Sequence, residues 1–423
     1  MKILWIVNVV LNDFSRHLYK KDGNGVWMDA LLGDFKQKKE HEIVVATVLP
    51  TKETVKYSHD GVTYYALPDD YPLLYNENKK DNILAWQNLL SQEKPDLIQV
   101  WGTEFTHGLC ALRQAKGIPS VIYMQGYLGS IARYYQAGIP YEDLKKTVTL
   151  RDFLKGDSIL DQQKKYQKSA LKEKEMLSLA ASIISENEWC NSNIRAIVPN
   201  IKTYALALSI NKVFAQKQWD ISKIERHSLI CTASGYTIKG LHMALRAAAI
   251  LKEKYPDLKV YVPGTKMVGG SSLKEKLKKN GYTKYIENLI KELGVEQNVV
   301  WLGRLSQEEL AERYEKTHVF IMSSAIENHS SSLKEGMMVG VPCVSTAVGG
   351  IPEYVKHGEN GFLYRFEEYP LAAKYIEDIF ENDDLATALS KKARESSIAL
   401  HEGNDLYQKI VQIYKDVLGE NKG

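Results

Sequence analysis

Cysteine is scarce: four residues in 423, Cys110, Cys190, Cys231 and Cys343, far apart along the chain. None forms a CxxC pair or stands at Cys/His ligand spacing, which excludes a disulfide framework and any zinc site legible in sequence. Reduced intracellular thiols are expected. Charge of one sign is lacking too. The 55 basic and 52 acidic residues leave a net charge of +3, too little to argue for a nucleic-acid binder. No run approaches the ~20 apolar residues of a membrane span. The nearest is Ile3 to Leu11, apolar except for Asn8. Asn12-Asp13-Phe14-Ser15-Arg16 follows it, not a small-residue cleavage site, so it reads as a buried first strand rather than a signal-peptide core. A cytoplasmic protein is expected. Internal repeats and low-complexity tracts are absent.

What remains is ordinary globular material, 44% hydrophobic and 25% charged, long enough for two or three domains and two large cores. Short apolar runs alternate with helical patterns. The first set is Ile3–Val9, Glu42–Val48, Leu97–Trp101, Ser120–Met124 and Ser182–Ser185. The second is Ser228–Thr232, Lys259–Val262, Val299–Leu302, Val319–Met322 and Pro342–Ser345. Consecutive Val and Ile suit strands buried on both faces, and the alternation predicts parallel sheets in an α/β fold. The rhythm restarts at Ser228, so we expect two doubly wound domains in tandem. Domain bounds of 1–212 and 213–403 follow, with 404–423 as a helix whose apolar stripe docks back on the first domain. Residues 141–175 carry nine basic against seven acidic residues, with Leu150, Phe153 and Leu154 among them. That pattern fits a solvated face, or a groove or membrane-surface contact over 141–178.

The segment richest in chemistry is Ser323 to Met337. A strand ends, a polar loop carries Glu327, and a helix is expected to begin near Ser331 or Ser332. Ligands of open α/β sheets bind beyond the carboxyl ends of strands. The amides of Asn328 to Leu333, with Ser330 and Ser331, would offer donors there to phosphate or hydroxyl oxygens. Glu335 is expected in the first helical turn, where Ser332-Leu-Lys-Glu335 also reads as a plain capping box. The Gly349-Gly350 pair reads as a turn or as a close backbone approach to a ligand. Leu11 to Asp22 reads as a long loop, and long loops in compact domains are often functional. Gly23-Asn24-Gly25 follows it. Met28 stands where a third glycine would complete a dinucleotide fingerprint, which disfavours a dehydrogenase. Asp69-Asp70 and Asp383-Asp384 read as loops, so no metal is expected.

Several of these motifs are shared with one known family. Glu327-x7-Glu335, Gly340-Val-Pro342, Val348-Gly-Gly-Ile-Pro-Glu353, Gly358-Glu-Asn-Gly361 and Lys239-Gly240 together resemble family 4 of the retaining glycosyltransferases. Trp101-Gly-Thr-Glu104 with His107, and Gln125-Gly126, resemble its bacterial polysaccharide and capsule subgroup. The resemblance implies the GT-B fold, two facing Rossmann-like domains with the terminal helix crossing back. It implies sugar transfer from a nucleotide diphosphate sugar, UDP-linked by preference, to a glycan or lipid-linked saccharide, without cofactor or metal. By position it gives Glu335 the ribose hydroxyls, Glu327 the donor sugar and Lys239 the diphosphate. Gly23, Gly25, Ser234, Leu305, Asn328, Ser330 and Ser331 line the donor site. Glu104, His107 and Gln125 contact acceptor or sugar. Ala233-Ser234 stands where many members carry Gly-Arg. A nucleotide-sugar epimerase and a non-catalytic partner subunit are the competing readings.

Overall fold

The computed structural model describes residues 1–23, 25–70, 75–268, 278–401 and 405–419. Asn24 and the end residues 404 and 420–423 lie outside them. The chain forms two compact units. The first comprises Met1–Gly129, Gln167–Ser209 and Gly403–Gly423, and the second Ser130–Tyr166 and Ile210–Glu402. The expected bounds of 1–212 and 213–403 therefore need a correction at 130–166. These residues pack with the second unit: Thr237 donates to the Tyr135 carbonyl, and Thr149 Oγ1 donates to the Lys279 carbonyl at 2.9 Å.

The first unit holds eight strands: β1 (Lys2–Val7), β2 (Glu42–Leu49), β3 (Val55–His59), β4 (Val62–Pro68), β5 (Leu97–Trp101), β6 (Ser120–Tyr123), β7 (Ser182–Ser185) and β8 (Lys202–Ala205). Their order is 3-4-2-1-5-6-7-8. The central strands are continuously apolar because both faces are covered. Ile3, Trp5 and Val7 enter one core layer, and Leu4 and Ile6 the other. That is the period-two pleat with two buried sides. β3 and β4 form the antiparallel pair at one edge. Asp60 and Gly61 join them, both at positive φ, as a two-residue hairpin loop with matching twist requires. The helix Leu406–Leu418 lays Leu406, Tyr407, Ile410 and Tyr414 into the same layer as Trp5. The Tyr407 ring stands 4.7 Å from that of Phe35.

The second unit holds β9 (Glu225–Ile230), β10 (Lys259–Pro263), β11 (Val299–Gly303), β12 (Thr317–Met322), β13 (Cys343–Thr346) and β14 (Phe362–Tyr364). The order is 11-10-9-12-13-14, and every neighbouring pair is parallel. This is the doubly wound order, with the strand sequence reversing between β9 and β12. Two other expectations change. Leu11 to Asp22 is largely a helix, Asn12–Tyr19, because Phe14 is drawn into the core. Asp383-Asp384 opens the helix Asp383–His401, where acidic residues suit the positive end of the helix dipole. No described helix is long and apolar enough to cross a membrane.

Candidate functional site

In the second unit the expected residues converge where the doubly wound order reverses. The loops leaving β9 and β12 enclose a crevice lined by Thr232, Lys239, Ser324, Glu327, Ser330 and Ser332, among others. Lys239 Nζ donates to Glu327 Oε1 at 2.6 Å. Ser324 Oγ donates to the same oxygen at 2.7 Å. Glu327 is nearly buried, with 10% of its side chain exposed against 37% for Lys239. The carboxylate is thus fixed and the ammonium remains partly open.

Backbone packing explains how this pair is held. Lys239 ends a short 3-10 turn, Thr237–Lys239, and Gly240 follows at φ 68°. A Cβ on Gly240 would overlap the Ser323 carbonyl. The Ala325 amide donates to the Ile238 carbonyl at 2.7 Å, which clamps the lysine loop onto the glutamate loop. Gly349 does the same from the other side. It stands at φ 53°, and a Cβ there would overlap the Glu327 carbonyl. The Gly349-Gly350 pair is therefore a close backbone approach to the Glu327 loop of this same chain.

The helix Ser331–Val339 begins where expected, but Ser330 is its N-cap and receives the Leu333 amide at 3.4 Å. Glu335 is then the fifth helical residue. It is not in the first turn, and Ser332 to Glu335 is not a capping box. Ser332 Oγ instead accepts from Thr232 Oγ1 at 3.0 Å, tying the helix start to the β9 loop. The Ser331 and Ser332 amides stay at the open helix end, where backbone donors and dipole favour anions. Glu335 receives no side-chain or backbone hydrogen bond among the described residues. Burial raises its carboxyl to about 7, and the nearby Lys334 charge opposes this only in part. Such a carboxylate lacks donors, which vicinal hydroxyls would supply. Asn328 and Ser330 are buried in the same loop. Ser234 and Leu305 follow β9 and β11. Between them Gly264, at φ 102°, leaves no room for a Cβ beside Ser234 Oγ, and its amide donates to the Gly303 carbonyl at 2.6 Å.

In the first unit the order reverses between β1 and β5. Asn8, just beyond β1, donates to Glu104 Oε2 at 3.1 Å, beyond β5. Burial raises Glu104 to about 7, against hydrogen bonds from the amides of Glu104, Gly126 and Thr103. Beside it is Glu173, which sequence reasoning missed. It is 1% exposed and accepts from Thr103 Oγ1 at 2.6 Å and from the Leu128 and Gly129 amides at 3.1 and 3.2 Å. Burial also raises it to about 7, with the Glu104 charge adding to the shift. Its only signal was an acid within a lysine-rich helical stretch, which reads as a solvated pair. Gln125 Nε2 reaches the Trp101 carbonyl at 3.4 Å. The Gly23 amide donates to Asn12 Oδ1 at 2.9 Å, and Gly25 caps the helix Val26–Lys38.

His107 departs from its expected role. It is 4% exposed, flanked by Trp86, Tyr75 and Phe105 rings. Burial lowers it to about 4, outweighing its hydrogen bond to the Val7 backbone. The imidazole ties the start of its helix to β1, and its Nε2 is buried without a hydrogen-bond partner among the described residues. Among the described residues, no group of three or more His, Cys, Asp or Glu is arranged to hold a metal ion.

Residues 215–396 match the family described as Glycosyl transferases group 1. The N-acetyl-alpha-D-glucosaminyl L-malate synthase of Bacillus anthracis is 31% identical over 137 residues, 32% of this chain and 35% of that protein. A D-inositol 3-phosphate glycosyltransferase of Corynebacterium urealyticum is 29% identical over 180 residues, 43% of this chain and 41% of that protein. These matches thus span well under two thirds of the curated relatives' length. Among solved structures, sucrose-phosphate synthase from Thermosynechococcus elongatus superimposes over the whole of both chains with a TM-score of 0.70 at 17% identity. Anabaena Alr3699/HepE in complex with UDP and glucose gives 0.64 at 14% identity, covering 98% of this chain and 100% of that one. The fold is GT-B, with two Rossmann-like units; the motifs from Lys239 to Gly361 lie in the matched segment, and those at 101–107 and 125–126 lie outside it.

Proposed function

We propose that the chain is a retaining glycosyltransferase. It moves a hexosyl or N-acetylhexosaminyl group from a nucleotide diphosphate sugar, UDP-linked by preference, to a glycan or lipid-linked saccharide in cell-surface polysaccharide synthesis. The observation that carries the reading is the Lys239–Glu327 ion pair in the crevice at the strand reversal, with Glu335 buried on the helix that follows the same loop. Each group then has a task. Glu335 accepts hydrogen bonds from the two ribose hydroxyls, replacing the solvation that burial removed. The Ser331 and Ser332 amides meet phosphate oxygens. Lys239, held by Glu327 in the free protein, turns its charge to the diphosphate as the glycosidic bond breaks and negative charge grows on the leaving oxygen. A positioned cation there is worth about 2–4 kcal/mol, by analogy with single oxyanion donors. Glu327, fixed by Ser324 and by the Gly349 turn, faces the donor sugar. Glu104 and Gln125 contact the acceptor. No metal takes part, and the protein works on the cytoplasmic face of the membrane through its 141–178 segment.

The test is a donor screen by thermal shift and hydrolysis with UDP-, GDP- and ADP-sugars. Ligand at a hundredfold excess over Kd adds about 2.7 kcal/mol. A shift with one donor, abolished by Glu335→Ala and Lys239→Ala, supports the reading. Absence of any shift refutes it in favour of a non-catalytic subunit, the reading that Ala233-Ser234 in place of Gly-Arg would suit. Turnover of the donor to an epimer without acceptor would identify an epimerase.

A further inference from the structure

The second unit carries an apolar surface that its own core leaves bare. Two short helices, Tyr141–Lys146 and Leu150–Lys155, present Tyr141 at 56%, Leu150 at 62%, Phe153 at 79% and Leu154 at 73% exposure. Single exposed apolar residues need no explanation, but a cluster of this size does. The exposure is not that of a loose segment. Thr149 and Asp152 form a reciprocal capping box, and Asp152 is buried and paired with Arg151 at 3.2 Å. Thr149 Oγ1 donates to the Lys279 carbonyl at 2.9 Å and Lys284 Nζ to the Lys146 carbonyl at 2.9 Å. The base is fixed to the helix Gly281–Leu293, and the apolar side chains point away from it.

The charges around the cluster are sorted. Across residues 141–166 the exposed ionic residues are five lysines, Lys145, Lys146, Lys155, Lys164 and Lys165, against one acid, Glu142. Of the other acids one is buried and three, Asp143, Asp157 and Asp161, are half-buried. Asp152 is buried, Asp157 pairs with Arg151 and Lys165, and Asp161 receives Ser158. Sequence arithmetic hid this asymmetry because it counted buried and exposed acids alike. Tyr141 lies under the Lys145 ammonium at 4.2 Å, an aromatic-cation pair of the kind found at headgroup level.

We propose that this two-helix surface is the membrane-docking element of the protein. Phe153 and Leu154 insert among acyl chains, Tyr141 lies at the interface, and Lys146, Lys155 and Lys164 meet anionic headgroups, joined by Lys145 and Lys165 as they exchange their partners Glu142 and Asp157 for lipid. This deepens the membrane contact named above and confines it to 141–165 of the second unit. Apolar insertion and lysine attraction add, so binding requires both anionic lipid and the apolar pair.

The experiment is flotation of the full chain with vesicles of phosphatidylcholine, alone or with a third phosphatidylglycerol, without donor or acceptor. The wild type should bind the anionic vesicles and be largely released by high salt. The double variant Phe153→Ser/Leu154→Ser should bind at least tenfold more weakly, with melting temperature and solution donor hydrolysis unchanged. Lys164→Gln/Lys165→Gln should weaken binding to anionic vesicles alone. No binding by the wild type, or equal binding by the double variant, overturns the proposal. So does a wild-type dimer that the double variant converts to monomer, which would make the face a contact between copies. Vesicle binding is read without any donor, so its failure is separable from failure of the transferase reading.

Discussion

Replacing Glu335 by glutamine should make the ligand-free protein more stable and the nucleotide-bound protein weaker. Burial raises the carboxyl from 4.5 to about 7. The folded protein therefore holds more protons than the unfolded chain between those values, and stability falls as pH rises through that window. The cost is absent below about pH 4.5 and complete above 7. The span from 4.5 to about 7 corresponds to about 3 kcal/mol at ~1.4 kcal/mol per pH unit. Glutamine keeps the shape and drops the charge. For units of this size each kcal/mol moves Tm by roughly 2–4 °C, so Glu335→Gln should raise Tm by roughly 6–12 °C at pH 8 and barely at pH 4.5. Other titrating groups cancel in the difference between variant and wild type. The matched assay is UDP affinity at pH 7.5, which should fall at least tenfold because the hydroxyls lose their ionic acceptor. A Tm difference that is flat across pH, or a variant less stable at pH 8, would refute the desolvation argument. Unchanged UDP affinity would refute the role of Glu335 in binding.

Lys239→Ala should lower kcat for donor hydrolysis by about 10²–10³, the loss typical of one positioned oxyanion donor, with a smaller change in KM; a lost KM with kcat intact would count against a leaving-group role. Gly349→Ala should cost about 1–3 kcal/mol by denaturant unfolding, since it must relieve strain at positive φ and a clash with the Glu327 carbonyl. It should also reduce turnover more than stability explains, and a fully active variant would show that the turn does not hold Glu327. Glu173→Gln can keep an oxygen for Thr103 Oγ1 and the Leu128 amide only by turning its NH2 toward the Gly129 amide, which already donates. It should cost about 1–3 kcal/mol, seen as a lower Tm at pH 8. Ile410, fully buried in the terminal helix, should cost about 2–5 kcal/mol as Ile410→Ala, and a negligible loss would mean that the helix docks only weakly.

The sequence was most legible where one signal had one physical cause. Runs of Val and Ile marked ten strands because a strand covered on both faces has no polar side to show. Three of the four edge strands were not legible for the same reason; the fourth, β11, was marked, and β4, inside its sheet, was missed. β3 is exposed on alternate residues, and β8 and β14 are short and only half-buried. Asp60-Gly61 was the one available hairpin signal, flanked by Val55, Tyr57, Val62 and Tyr64. The candidate site residues were named from the polar segment around Glu327 and Glu335 and from a family resemblance, whereas the contacts that support them were not legible. Ser324, Thr232 and Asn8 act through contacts 3, 100 and 96 residues away, and only the first is local. Glu173 and His107 make the contrast sharpest. An acid in a lysine-rich helix reads as solvated and proves to be buried, while a histidine expected to contact sugar or acceptor lies buried among aromatic rings. In both cases the deciding quantity is burial, which depends on what the rest of the chain brings to the same place. The charges of 141–166 repeat the lesson at the scale of a surface: near-balanced in sequence, with five exposed lysines against one exposed acid once the chain is folded.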